Sequence, residues 1–215
     1  MKSAIKSSKV NRAWLNDHVN DTYVKLAQKE GYRARAAYKL MEIDETLHLI
    51  KPGQLVIDLG SAPGAWSQYL RRKLSAKPAS GGIIALDKLL MEPVDGVTFI
   101  QGDFSEEAVL TRLKDQMQGH LADVVVSDMA PNLSGISSID AARVEYLIEL
   151  ALDFAQTQLK PEGAMVAKVF HGGSYDSLFK RFQAMFAVVK RIKPKASRDK
   201  SAETFLVGMG LKTHP

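Results

Sequence analysis

The chain has 215 residues, 46% of them hydrophobic and 25% charged, which is enough for one sizeable core and short for two. It contains no cysteine, and this excludes a thiol nucleophile, a thiolate zinc centre, an iron–sulfur cluster and a disulfide framework. The net charge of +5 is uneven: residues 1–40 carry nine Lys/Arg against three Asp/Glu and residues 180–215 carry nine against two, so the middle is acidic. No apolar run approaches the ~20 residues of a membrane span, and the first residues are polar and unlike a signal peptide, so a cytoplasmic location is expected.

In chain order, residues 1–12 are rich in Lys, Ser and Asn without periodicity and are expected to be a mobile basic segment. Trp14, Val19, Tyr23, Val24 and Leu26 recur at helical spacing, which predicts a helix over 16–29 ended by Gly31. A second helix over 34–47 would place Ala37, Leu40, Met41 and Leu47 on one face and leave Lys39 reaching outward. The turn Lys51-Pro52-Gly53 leads into a strand over 54–59, and a helix follows over 65–74 before the breaker-rich stretch 75–82. Apolar runs then recur at 83–86, 97–100 and 124–126, each closed by an acid (Asp87, Asp103, Asp128) and each followed, sooner or later, by helical sequence.

Strands buried on both faces and alternating with helices predict a mostly parallel sheet with helices on each side. In such sheets ligands lie beyond the carboxyl ends of the strands, so the three acids share one rim. A long helix over 140–160, with Asp140 as its N-cap and Pro161-Glu162-Gly163 as its stop, leads to a strand over 164–167 with Lys168 at its end. A helix over 175–186, a strand over 188–193 and a last strand over 204–209 close the chain, the final pair forming an antiparallel hairpin.

The stretch Leu55-Val56-Ile57-Asp58-Leu59-Gly60-Ser61-Ala62-Pro63-Gly64-Ala65-Trp66 organises the rest: a buried strand delivers a small-residue loop that opens into a helix. Gly60 and Gly64 let backbone approach a ligand closely, and the helix N-terminus suits an anionic group. The loop is neither a P-loop nor a G-x-G-x-x-G dinucleotide fingerprint. It resembles the D-L-G-x-A-P-G-G-W loop of the FtsJ-type ribose 2′-O-methyltransferases, with Ala65 standing where that family usually has a second glycine.

That resemblance covers the chain after residue 12. It implies a Rossmann-like fold of seven strands with one antiparallel strand. It also implies a single domain, with a helical appendage (13–50) and a core (51–215), acting as a monomer. Lys39, Asp128, Lys168 and Glu203 stand in contexts that match the family's catalytic Lys-Asp-Lys-Glu set. The implied cofactor is S-adenosylmethionine, and no metal is expected. Gly60, Ala62, Pro63, Gly64 and Trp66 would line its methionine end, Asp87 its ribose hydroxyls, and Asp103 with the Phe104 backbone its adenine, with Asp128 also adjoining it.

Chemically, a ribose 2′-hydroxyl needs positioning and a proton acceptor. A lysine can accept that proton only when neutral, and burial together with a second lysine disfavours the ammonium. The clustered cations Arg33, Arg35, Lys193, Lys195 and Arg198 are expected to meet RNA phosphates. The family implies large-subunit (23S) ribosomal RNA as substrate, within the large ribosomal subunit, and the bacterial branch implies a uridine. A transfer-RNA methyltransferase of the same family, an RNA chaperone that binds the cofactor without turnover and, least favoured, a small-molecule O-methyltransferase remain as alternatives. The sequence Asp128-Met129-Ala130-Pro131 differs from the Asn/Asp-Pro-Pro-aromatic loop of amino-group methyltransferases.

Overall fold

The structure is a computed structural model, and it describes residues 21–74, 82–131, 137–198 and 201–212. The expected mobile segment 1–12, the first helix before residue 21, the breaker stretch 75–81, residues 132–136 and residues 199–200 lie outside the described residues. Seven strands, β1 (Leu55–Leu59), β2 (Gly82–Asp87), β3 (Val97–Gln101), β4 (Ala122–Ser127), β5 (Leu159–Phe170), β6 (Phe186–Ile192) and β7 (Glu203–Leu211), form one sheet of order β3-β2-β1-β4-β5-β7-β6. Neighbours from β3 through β5 pair in parallel, and β7 runs antiparallel to both β5 and β6. The expected sheet is therefore present, with one antiparallel strand.

Side-chain alternation along the strands divides the core into two layers. Val56, Ile83, Val126, Val166 and Phe205 pack under α1 (Thr22–Glu30), α2 (Ala37–Leu47) and α3 (Ala65–Leu74). Ile57, Ile84, Val125, Met165 and Leu206 pack under α4 (Glu107–Met117), α5 (Ser137–Gln158) and α6 (Tyr175–Met185). The order of strands reverses between β1 and β4, so the crevice where such sheets take ligands opens above Leu59 and Ser127.

β2 and β3 follow one another with no helix between them: residues 88–96 form a loop broken by Pro93 and the Asp95-Gly96 turn, with Leu89 and Leu90 exposed, and the helical segment comes after β3. The bounds of two helices and of one strand are corrected. α2 starts at Ala37, because residues 34–36 form a tight turn whose Ala36 carbonyl also accepts the Trp66 indole N–H at 2.7 Å. Its buried residues include Tyr38, Ile43 and Asp44, whereas Met41 and Leu47 are only half-buried. α5 starts at Ser137, which puts Asp140 in its first turn instead of at the cap, and residues 159–163 belong to β5. Leu159 pairs with Ala122 and is buried, and a register shift between Ala122 and Val124 absorbs the Pro161-Glu162-Gly163 segment. The cap of α1 at Gly31 is as expected, its N–H returning to the Ala27 and Gln28 carbonyls.

One buried carboxyl sits under the crevice. Asp58 is fully buried on β1, where Oδ2 accepts the Ser67 hydroxyl at 2.6 Å. Burial pushes its pKa up to about 7. Ser67 opposes that rise, and the carboxylates of Asp128 and Asp87 add to it. An acid whose folded pKa lies above its unfolded value supports the fold below the unfolded pKa, and that support fades as pH rises through the folded one. From 3.8 to about 7 the span is worth on the order of 4 kcal/mol. Denaturant unfolding of the Asp58→Asn variant is therefore expected to gain stability relative to wild type on going from pH 4 to pH 8. A difference independent of pH would show that Asp58 is charged throughout.

Candidate active site and cofactor cavity

A cavity of about 620 Å³ opens at the carboxyl ends of β1 to β4, within the range of small-molecule sites. Backbone bonds stitch its floor together. Gly60 N and Ser61 N donate to the Leu86 carbonyl at 2.8 and 3.2 Å, Gly102 N to the Asp87 carbonyl at 2.9 Å, and Asp128 N to the Leu59 carbonyl at 3.0 Å. Gly60 has a φ of 75°, and a Cβ there would lie 2.7 Å from Met129 N, so the crossing of the loops after β1 and β4 requires glycine. Ala65 opens α3 in helical conformation, which explains why alanine is accepted where the related loop has glycine.

The strand-end acids take part in holding this floor. Asp87 accepts Ala62 N at 2.9 Å and Leu89 N at 2.8 Å, one bond on each oxygen, and keeps lone pairs for a ligand's hydroxyls. Asp103 accepts the Ser105 backbone N–H and hydroxyl and faces Lys88 Nζ at 2.7 Å. The Lys88 bond holds the Asp103 carboxyl below its usual range against the opposing effect of burial, with Ser105 assisting. Gly60, Ala62, Asp87, Asp103, Phe104 and Asp128 all face the cavity, whereas Pro63, Gly64 and Trp66 do not line it. The Trp66 indole lies in the core, 6.0 Å from the Phe205 ring. Leu89, Arg143 and Tyr146 complete the cavity wall, and no spacing in the sequence marked them.

Beside the cavity the four expected catalytic side chains form two ion pairs. Lys168, 8% exposed, has Nζ 2.7 Å from the Asp128 carbonyl and 2.8 Å from Asp128 Oδ1, the second contact being too oblique for a hydrogen bond. Lys39 Nζ lies 2.7 and 2.8 Å from the two oxygens of Glu203, so it reaches inward to β7 and not outward as its helix position suggested. Pairing of Lys168 with Phe205 and of Phe170 with Glu203 sets Lys168 and Glu203 diagonally on one face of the β5–β7 ladder. Ser197 Oγ donates to Glu203 at 2.8 Å. Burial alone would raise the Glu203 pKa. The charge and hydrogen bond of Lys39, the Ser197 bond and the Lys168 charge outweigh it and hold the carboxyl below its usual range.

The basic ends of the chain do meet. Arg35 donates to the Ala196 carbonyl and pairs with Asp21, and Glu42 accepts Lys195 N at 2.6 Å and Ala196 N at 2.9 Å. Lys193, Lys195 and Arg198 are exposed on the β6–β7 connection, with Arg198 Nε 3.8 Å from Asp21. Arg33, grouped with them in the sequence, instead donates to the carbonyls of Pro63, Glu92 and Pro93 at 3.0, 2.5 and 2.8 Å.

The FtsJ-like methyltransferase family model matches residues 32–211. The chain is 72% identical to the ribosomal RNA large subunit methyltransferase E of Albidiferax ferrireducens, with 100% of each chain covered. Its fold is similar to that of a Plasmodium falciparum protein described as a ribosomal RNA methyltransferase, with a TM-score of 0.73, 30% identity, and 84% of this chain and 98% of the other covered. Aeropyrum pernix fibrillarin shares the fold alone, with a TM-score of 0.53 and 13% identity over 83% of this chain and 75% of that one. The glycine cradle and acid-edged cavity fit S-adenosylmethionine (SAM), and with a family model spanning most of its length the chain belongs to the FtsJ-like methyltransferases, with SAM as its cofactor.

Proposed function

We propose that the chain methylates the ribose 2′-hydroxyl of a uridine in large-subunit ribosomal RNA. The observation that carries this reading is the pair of largely buried lysine–carboxylate contacts beside the cofactor cavity, one of them made by Asp128 of the cavity wall. Bound SAM would supply a methyl group on a sulfonium, its carbon–sulfur bond breaking as the methyl bonds to the hydroxyl oxygen so that a neutral thioether leaves. A tethered hydroxyl with a proton acceptor at hand meets the other requirement, and such proton removal is typically worth ~10²–10⁴ in rate.

Lys168 is the proton acceptor in this scheme. Its Nζ donates to the Asp128 carbonyl with the carboxylate of the same residue 2.8 Å away, and once it has given a proton to solvent its lone pair can face a hydroxyl brought to the site. The 2′-hydroxyl proton passes to Nζ as the oxygen takes the methyl. Asp128 then faces the new ammonium, and the Lys39–Glu203 contact holds the adjoining edge of the site in place. The substrate class comes from the relatives' name and from the cations of the β6–β7 connection, which lie next to Glu203 in the fold. Lys193, Lys195 and Arg198 are exposed and suited to phosphate contact, Lys193 also donating to the Ser201 carbonyl at 3.0 Å and Arg198 lying 3.8 Å from Asp21, whereas Arg33 and Arg35 are turned onto carbonyls of the chain.

Two measurements test the scheme. Lys168→Ala and Lys168→Arg are both expected to lose at least ~10²-fold in turnover on an RNA containing the target ribose while SAM affinity by calorimetry stays within about twofold. A guanidinium keeps the charge but does not release its proton near neutral pH, so an active arginine variant would reduce Lys168 to a positioning charge. Reversing Lys193 and Lys195 to Glu is expected to weaken RNA binding and to lower the slope of log affinity against log salt by about two, since each phosphate contact contributes roughly 0.7–0.9. An unaltered slope would remove this loop from the RNA surface.

A further inference from the structure

Arg33 stands in the turn between α1 and α2, outside the cavity, yet it holds both loops that form the cavity's edge. Nη1 donates to the carbonyl of Pro63, within the loop after β1, and to that of Glu92. Nη2 donates to the carbonyl of Pro93, and both of these last residues lie in the loop after β2. These are neutral main-chain acceptors, three of them on one planar fork, a pattern an ammonium cannot reproduce. The turn carrying Arg33 is itself anchored on α3. Gln68 accepts Arg33 N at 2.8 Å and donates to the Gly31 carbonyl at 3.1 Å, while Arg72 donates to the Glu30 carbonyl at 2.9 Å and lies 4.0 Å over the Tyr32 ring. Gly64 leaves room for the clamp: a Cβ there would stand 2.7 Å from Arg33 Nη1 and 3.0 Å from Met91 Sδ.

Near their strands the two loops are joined by the bonds of Gly60 N and Ser61 N to the Leu86 carbonyl and of Ala62 N to Asp87, and Arg71 Nε holds the Asp95 carbonyl at 3.0 Å. Further out, residues 88–96 carry no helix and expose Leu89 and Leu90, and there the Arg33 fork ties Glu92 and Pro93 to Pro63. We propose that Arg33 is a positioning residue for the cofactor, clamping the loops after β1 and β2 into the shape that accepts SAM. This rests on the reading that those loops take the cofactor. Without the fork, binding SAM must order both loops, and that cost appears as lost affinity.

Calorimetric titration of SAM into the full chain tests this, with Asp87→Ala as a direct-contact control. Arg33→Ala is expected to weaken SAM binding about tenfold or more, raising the KM for SAM with kcat at saturating SAM within about twofold. Arg33→Lys is expected to recover only part of the loss, and guanidinium ion at low millimolar concentration to recover affinity in Arg33→Ala but not in Asp87→Ala. RNA affinity and its salt slope are expected to stay as in wild type. Unchanged SAM affinity in a folded Arg33→Ala chain overturns the inference while Asp87→Ala still loses binding. If both variants bind SAM as wild type does, the loop reading falls as well. A loss of RNA affinity with the salt slope lowered by about one would make Arg33 a phosphate contact instead.

Discussion

A polar group removed from water has to be met by hydrogen bonds or an opposite charge, and at the rim of this sheet two lysine side chains leave water together. Lys168 is met by Asp128 and Lys39 by Glu203. Satisfying both pairs constrains the whole carboxyl-terminal half of the sheet. Asp128 has to follow β4 directly, Lys168 has to sit near the end of β5, and β7 has to return antiparallel so that Glu203 comes diagonally beside Lys168. A β7 running parallel to β5 would put Glu203 at the opposite edge.

The helices before β1 are part of the site. α2 brings Lys39 to Glu203 and Glu42 to the backbone of the β6–β7 connection, and the turn before it sends Arg33 to the cofactor loops. Asp44 fixes the helix in place, accepting Ile50 N at 2.8 Å and the Tyr69 hydroxyl at 2.6 Å from a buried position on the α3 side. Burial and the Asp44 bond push the Tyr69 hydroxyl well above its ordinary pKa, so this contact persists through the physiological range. The N-terminal helices thus span the distance between cofactor cavity and basic loop, which gives the two ends of the chain a shared mechanical support.

Much of this was legible in the sequence because strands buried on both faces announce themselves as unbroken apolar runs, and the residue that ends such a run falls on the ligand rim. Asp87 ends β2, Asp103 and Asp128 follow β3 and β4 and face the cavity, whereas Lys168 lies two residues before the end of β5 and outside the cavity lining. What escaped shares a different cause. Arg33 bonds to three carbonyls, and a main-chain acceptor leaves no mark in the residue types around it, so a clamp looked like one more surface cation. Lys39 looked solvent-facing because its partner is 164 residues away. The start of β5 looked like a helix stop because Pro161 and Gly163 are breakers in either setting, and only the pairing of Leu159 with Ala122 decides between them.

The central claim is that these paired lysines serve transfer of a methyl group to a ribose oxygen of ribosomal RNA. Nucleoside mass spectrometry of ribosomal and transfer RNA, from cells with the protein and from cells lacking it, tests that claim most directly. The account predicts that one 2′-O-methyluridine disappears from large-subunit ribosomal RNA and returns with the wild-type chain but not with Lys168→Ala. Unchanged ribose methylation, or the loss of a base-methylated nucleoside in its place, would contradict it.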